Sequence, residues 1–367
     1  MPSGAVTLFL GGDVMLGRGV DQILPHPGDP RLWERGIQDA RMYVELAESA
    51  SGPIPWPVDF AWPWGDALAL LDHFAPDARL VNLETSVTAA GAAAPGKGVH
   101  YRMSPGNVPA LMAVNPEVCS IANNHVLDFG VDGLKETLEV LRRAGVPVVG
   151  AGVNATEAAR PVMVPTASSR VVVFAFGSTS SGVPEGWGAT ESRPGIALLP
   201  DLSDRTADEV TEQVSRFKQP GDLVVVSVHW GSNWGYAIPR RQVRFAHRLI
   251  DGGVDVVYGH SSHHPRPIEV YRDRLVLYGC GDLIDDYEGI TGFAEYRDDL
   301  RLLYLATMES SGRLTALRMI PMQAHRMRLR PADPEDCAWL GQTLDRISRS
   351  HGTRITLDQD GLLVCIL

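Results

Sequence analysis

Short, almost wholly apolar runs recur along this chain, and each stops at a glycine, an acid, an amide or a histidine. Val6–Leu10 runs into Gly11-Gly12-Asp13, Ala78–Asn82 into Leu83-Glu84, and Val118–Ala122 into Asn123-Asn124-His125. Leu223–Val228 stops at His229, and Val254–Tyr258 at Gly259-His260. Apolar runs without polar alternation mark strands covered on both faces. Helical stripes lie between them. Val131, Leu134, Leu138 and Leu141 line one helix face with Gly145 at its C-terminal end, and residues 240–251 suit a helix stopped by Gly252-Gly253. Strand, loop, helix, strand is the rhythm of an α/β fold. We expect one continuous α/β domain, four layers deep around two sheets.

The remaining segments fill in that plan. Residues 30–49 admit a helix, residues 51–65 form an irregular Pro- and Trp-rich loop, and Asp66–Phe74 resumes helical spacing. Ala89–Gly98 reads as an exposed loop. Val171–Phe176 is another apolar strand, and Leu275–Tyr278 ends at Gly279-Cys280-Gly281-Asp282. Arg301–Thr307 and Leu314–Ile320 suggest a hairpin around Ser311-Gly312. Asp333-Pro334 with Asp336 is a helix start, and that helix should run to about Ser350. We therefore expect a main domain over residues 1–325, with residues 326–367 as a helix-and-strand elaboration packed on it.

Composition removes several classes. With 44 acids against 33 bases the net charge is −11, which argues against a nucleic-acid surface. Lys97, Lys135 and Lys218 are the only lysines, a bias more suggestive of genome composition than of binding. No long apolar run calls for a membrane span, and Met1–Gly12 lacks a basic leader, so the expected location is cytoplasmic and no membrane partner is expected. Cys119, Cys280, Cys337 and Cys365 show no close pairing, which argues against a disulfide scaffold or zinc knuckle.

What remains is a set of metal-ligand side chains at strand ends: Asp13, Glu84, Asn124, His229, His260 and His263. In α/β folds ligands collect at the carboxyl ends of strands. Any one of these residues alone reads as a turn acid or a structural histidine, but five segments repeat the pattern. Carboxylate and amide oxygens with imidazole nitrogens suit a divalent metal: Mn, Fe, Zn or Mg, or Ca where oxygen dominates.

Gly12-Asp13, Asn82-Leu83-Glu84, Asn123-Asn124-His125, His229-Trp230-Gly231 and Gly259-His260-Ser261-Ser262-His263 resemble the ordered motifs of the CapA family, named for poly-gamma-glutamate capsule synthesis. That family resembles the calcineurin-like metallophosphoesterases. The resemblance spans roughly residues 5–295 and implies a four-layer α/β/β/α sandwich with a metal centre above the sheet edges. It implies Asp13 and Glu84 as carboxylate ligands, Asn124 as amide ligand, and His229, His260 and His263 as the histidine set. His125 matches the histidine that assists leaving-group protonation. The chain departs from the phosphoesterase pattern in two places. Asp13-Val14-Met15 stands for Asp-x-His, and Asn82-Leu83-Glu84 for Gly-Asp-x-x-Asp. The N-terminal anchor typical of capsule proteins is not expected here, since Met1–Gly12 reads as a strand opening.

Three activities fit. One is metal-dependent hydrolysis of a phosphoester or amide, with His125 as acid. A second is epimerisation at a peptide α-carbon, as the resemblance to CapA-like proteins of lasso peptide biosynthesis implies. There a metal polarises a carbonyl or carboxylate, and two bases are drawn from His125, His229, His264, Cys280 and Asp282. A third is non-catalytic binding of a peptide or polymer. The altered first motif and the aromatic loop favour epimerisation of a peptide substrate, with a ribosomal precursor peptide as the candidate. Trp230, Asn233, Trp234 and Arg266 are the candidate substrate contacts, Arg266 as a carboxylate clamp.

Overall fold

The computed structural model describes residues 4–290 and 292–367. The first three residues of the segment read for a leader lie outside that range. Two sheets form the centre of the molecule. The first has ten strands. Ala5–Val14, Ala78–Leu83, Val118–Ser120 and Val148–Val149 run parallel on one side. On the other side of Ala5–Val14, Leu300–Glu309 and Leu314–Ala324 continue as an antiparallel pair. The second sheet has seven strands. At its centre Arg170–Ser178, Leu223–His229, Val256–His260 and Arg274–Leu277 are parallel.

The strand period of two sorts the second sheet's side chains. Leu223, Val225, Val256 and Tyr258 face the first sheet and join its apolar core. Val224, Val226, Val228 and Val257 face outward into a second core. Helices Asp204–Phe217 and Arg240–Asp251 close that outer core with Ala207, Val210, Val214, Phe245 and Leu249. Helices Ala67–Phe74 and Gly130–Arg143 bury Leu71, Leu134 and Leu141 in the core of the first sheet. The result is the expected α/β sandwich.

Local chemistry adjusts the expected boundaries. The helix expected over 30–49 forms only at Arg41–Ser51. Pro30 and Gly36 interrupt the preceding stretch, where Arg31 and Asp39 form an isolated bridge. Helix Asp204–Phe217 was not expected. Its cap is Ser203, whose Oγ accepts from the Thr206 N–H at 3.2 Å.

Residues 334–366 join the two sheets. Helix Pro334–Ser348 is followed by strands Arg354–Leu357 and Leu363–Ile366, and the latter pairs with Leu314–Ala324 at the first sheet's edge. Ser348 Oγ accepts from the Ile268 N–H and Thr353 Oγ1 from the Val270 N–H, on the edge strand of the second sheet.

Candidate metal centre

Register places the polar residues side by side. Asp13 pairs with Asn82 and with Asp282, Asn82 with Ser120, and His229 with His260. Asp282 opens the short strand Asp282–Ile284, and the others lie at or near the carboxyl ends of parallel strands, so their side chains converge at one end of the sandwich. Gly12 is required for that arrangement, since a Cβ there would lie 2.1 Å from the Gly281 carbonyl oxygen. The same close approach lets the Asp13 N–H donate to Gly281 O at 2.9 Å.

Asp13 is buried and held on both oxygens. Oδ1 accepts from Asn82 Nδ2 at 2.7 Å, and Oδ2 from the Ser261 N–H at 3.0 Å. Burial alone would raise its pKa, but the imidazoles of His260 and His229 and the Asn82 amide hold it below the usual range. Glu84 goes the other way. Burial, then the charges of Asp13 and Asp282, push its carboxyl well up. Its nearest imidazole nitrogens are His229 Nε2 at 3.6 Å and His125 Nε2 at 3.9 Å.

One ligand atom each from Asp13, Glu84 and His229 lies within 4.8 Å of the others. Asn124 Oδ1 sits 3.0 Å from His229 Nε2. His260 Nε2 meets Ser227 Oγ at 2.9 Å, which leaves Nδ1 buried, 3.3 Å from Asp13 Oδ1 and without a hydrogen bond. An orphaned imidazole nitrogen aimed at a buried carboxylate is costly unless something else binds there. Burial also drives the His229 pKa down to about 3, which keeps the ring in the neutral form that binds metals. This donor set fits a divalent cation.

A cavity of about 180 Å³ opens beside these donors, lined among others by Glu84, Asn124, His125, Asn233 and His263. His125 Nδ1 meets Asp128 Oδ2 at 2.6 Å, and its ring stacks on Tyr101 at 3.8 Å. Lys97 reaches Asp128 Oδ1 and the Asn124 carbonyl. On another wall His263 Nδ1 meets Asp282 at 3.0 Å, and Nε2 lies 3.0 Å from Asn233 Nδ2. Burial opposes a charge on His263, but Asp282 overcomes it and raises the pKa.

Comparison with known proteins agrees with this geometry. The profile of the family described as "Bacterial capsule synthesis protein PGA_cap" matches residues 7–287. The chain belongs to the PGA_cap family. A "Probable polyglutamine synthesis accessory protein" of Mycobacterium tuberculosis is 55% identical over 361 residues, covering 98% of this chain and 95% of the relative. The "PGA biosynthesis protein CapA" of Bacillus subtilis is 29% identical over 62% of this chain and 56% of its own length. The "Capsule biosynthesis protein CapA" of Bacillus anthracis is 26% identical over 77% of this chain and 60% of its own. Among the described residues no helix is long and apolar enough to cross a membrane.

In this PGA_cap chain the six candidate ligands Asp13, Glu84, Asn124, His229, His260 and His263 gather at one end of the sandwich, with His125, Asp282 and Asn233. Other candidates are placed elsewhere. Trp230 does not line the cavity. It is buried in the outer core between Phe245 and Tyr278, and its indole N–H donates to Tyr278 O at 3.0 Å. The reason is strand alternation, since the residue after His229 points to the opposite face. Burial, then the charge of Asp13, pushes the Cys280 thiol well up, which disfavours the thiolate a base would need. His264 faces away, with Nδ1 at 3.0 Å from Pro265 O and its ring stacked on Tyr296. Arg266 is not a free clamp, because Nη2 donates to Ser232 O at 2.6 Å and to Trp234 O at 3.2 Å. It fixes the 232–234 loop that carries Asn233. Trp234 stacks on Phe293 at 3.8 Å and covers His263 at 5.3 Å between ring centres, as part of the rim. Asp282 orients His263 rather than standing free as a base.

No sequence motif singles out Lys97, Tyr101 or Asp128. Lys97 lies in the loop expected to be exposed, and its one signal was rarity.

Proposed function

We propose that this protein is a metal-dependent enzyme that cleaves or transfers an amide bond in a glutamyl polymer or peptide. The observation that carries this is the Lys97–Asp128–His125 chain, which opens onto the same cavity as the donor set. The names of the relatives, which concern polyglutamine synthesis and PGA biosynthesis, support the substrate class.

Asp13, Glu84, Asn124, His229 and His260 would hold the cation, with His263 beside them. A bound divalent cation supplies Lewis acidity to a carbonyl oxygen and eases ionisation of water. The protein's own groups do the rest. Asp128 accepts from His125 Nδ1–H and fixes the ring, so that Nε2 faces Glu84 and the cavity. Burial, then the charge of Lys97, holds the His125 pKa well below the ordinary imidazole value, so Nε2 starts unprotonated. It takes a proton from the water or acceptor amine that adds to the carbonyl carbon, and passes that proton to the departing amide nitrogen as the C–N bond breaks. Burial raises the Asp128 carboxyl to about 6, and the Lys97 charge opposes that rise and favours the carboxylate.

Epimerisation is the second reading, and one observation favours it. His125 and His263 line the same cavity, each backed by its own carboxylate, which suits removal and return of a proton at one α-carbon. Isotope-labelled water separates the two. The protein with added Mn2+ is incubated with glutamyl oligomers in heavy water and, separately, in 18O-water. Shortened chains with 18O in the new carboxylate support cleavage. Deuterium at an α-carbon with a D-residue and no shortening replaces it with epimerisation. Neither label in any oligomer, with no change in chain lengths, overturns both.

A further inference from the structure

A second, larger cavity of about 490 Å³ adjoins the metal cavity, and Lys97 lines both. Its walls are Arg31, Trp33, His100 and Arg102, and residues 91–96 form its floor. In a chain of net charge −11 this is a concentration of positive charge. The arginines lack firm partners. Asp29 Oδ2 is 3.4 Å from Arg31 Nη2 and 3.6 Å from Arg102 Nη2, so one half-exposed carboxylate is shared between two guanidinium groups. Arg102 Nη2 is buried with no hydrogen bond. His100 is buried with Nε2 donating to Ala94 O at 2.8 Å, and its Nδ1 is also unpartnered.

The walls are stiff. The Arg102 guanidinium lies 4.3 Å over the Phe129 ring, and Trp33 meets His100 and Phe129 edge-on. The Ala94 N–H donates to Asp128 O at 2.8 Å, which ties the floor to the segment bearing His125. Gly91 has φ +80, and a Cβ there would lie 2.0 Å from Phe129 O, so this floor cannot carry a side chain at that point.

We infer that this trough is a carboxylate-binding subsite, in which Arg31 and Arg102 hold the acidic groups of a chain whose reacting bond lies in the metal cavity. Guanidinium forks suit carboxylates, and the hydrogen bond that Arg102 Nη2 lacks is one a bound carboxylate can supply. Lys97 marks the passage between the two cavities. The inference rests on the glutamyl reading for its substrate class, but binding in the trough needs neither metal nor turnover.

Calorimetric titration of the full chain with a γ-linked glutamate hexamer, after removal of metal with chelator, tests it. Glutamine hexamer is the neutral control. The glutamate hexamer should bind, more weakly as salt rises, and the glutamine hexamer should not. Arg31→Gln and Arg102→Gln should each weaken binding by about tenfold, the loss of one charge-assisted hydrogen bond. Arg31 is exposed, so its variant reports even where Arg102→Gln folds poorly. Equal binding by wild type and Arg31→Gln, equal binding of both hexamers, or no binding by wild type overturns the inference. Cleavage with unchanged KM in both arginine variants would remove the trough and spare the proposed function. Binding without any turnover of glutamyl oligomers would do the reverse.

Discussion

Glu84→Gln should reverse its effect on stability when metal is added. In metal-free protein Glu84 is buried, and its charge is opposed by burial and by Asp13 and Asp282. Ligand atoms of Asp13 and Glu84 lie within 4.8 Å of each other. Two like charges at that separation repel by about 3 kcal/mol at an effective dielectric near 20, which sets the scale of what glutamine relieves. The pH dependence has a definite sign. The folded-state pKa is raised, so the native state holds a proton that the unfolded state has lost. Metal-free wild type therefore loses stability as pH rises above the ordinary glutamate value of about 4.3. Glu84→Gln should be up to about 3 kcal/mol more stable than wild type at pH 8, with the gap closing near pH 4. Added Mn2+ should stabilise wild type by about 2.7 kcal/mol at a hundredfold excess over Kd, and the variant much less. Urea unfolding with chelator and with Mn2+ at both pH values measures all four terms. A variant less stable than wild type in chelator, or equal stabilisation of both proteins by metal, refutes the reasoning.

Other substitutions separate the roles of neighbouring groups. Asp128→Asn should lower kcat by about 10²- to 10⁴-fold, because His125 loses the acceptor that fixes its proton, while metal content by elemental analysis stays the same. Loss of the metal would instead tie Asp128 to the cation site. Trp230→Ala should cost about 3–5 kcal/mol of stability in urea unfolding, because it empties a site in the outer core. A changed KM with unchanged stability would return Trp230 to the substrate. Arg266→Lys keeps the charge but not the planar fork that holds Ser232 O and Trp234 O. It should raise KM and speed proteolysis of the 232–235 loop, and limited digestion with chymotrypsin checks this at Trp234.

The donor set was legible because each residue closes an apolar run, and a buried parallel strand leaves its chemistry at its end. The period of two within Leu223–His229 also carried the correction to Trp230, since even-numbered residues there face the outer core. Lys97 and Asp128 were hidden for a different reason. Both sit in irregular segments where no periodicity fixes direction, and Lys97 meets Asp128 and Asn124 only through the folded chain. Helix Asp204–Phe217 has a capping serine and Ala207, Val210 and Val214 on one face, but its polar composition masked the stripe. The proline and glycine before Arg41 were enough to shorten the helix expected over 30–49.

The side-by-side register of Asp13 with Asn82 and of His229 with His260 has an evolutionary consequence. The strands set a lattice of about 4.8 Å, and each donor occupies one point of it. Exchanging the residue at one point changes the charge and softness offered to a cation while the other points stay where they are. Inserting one residue within a strand does the opposite. It turns the side chain to the far face and erases the point altogether. Descendants of such a chain can explore new metals and substrates by substitution, and they are barred from doing so by changes in strand length.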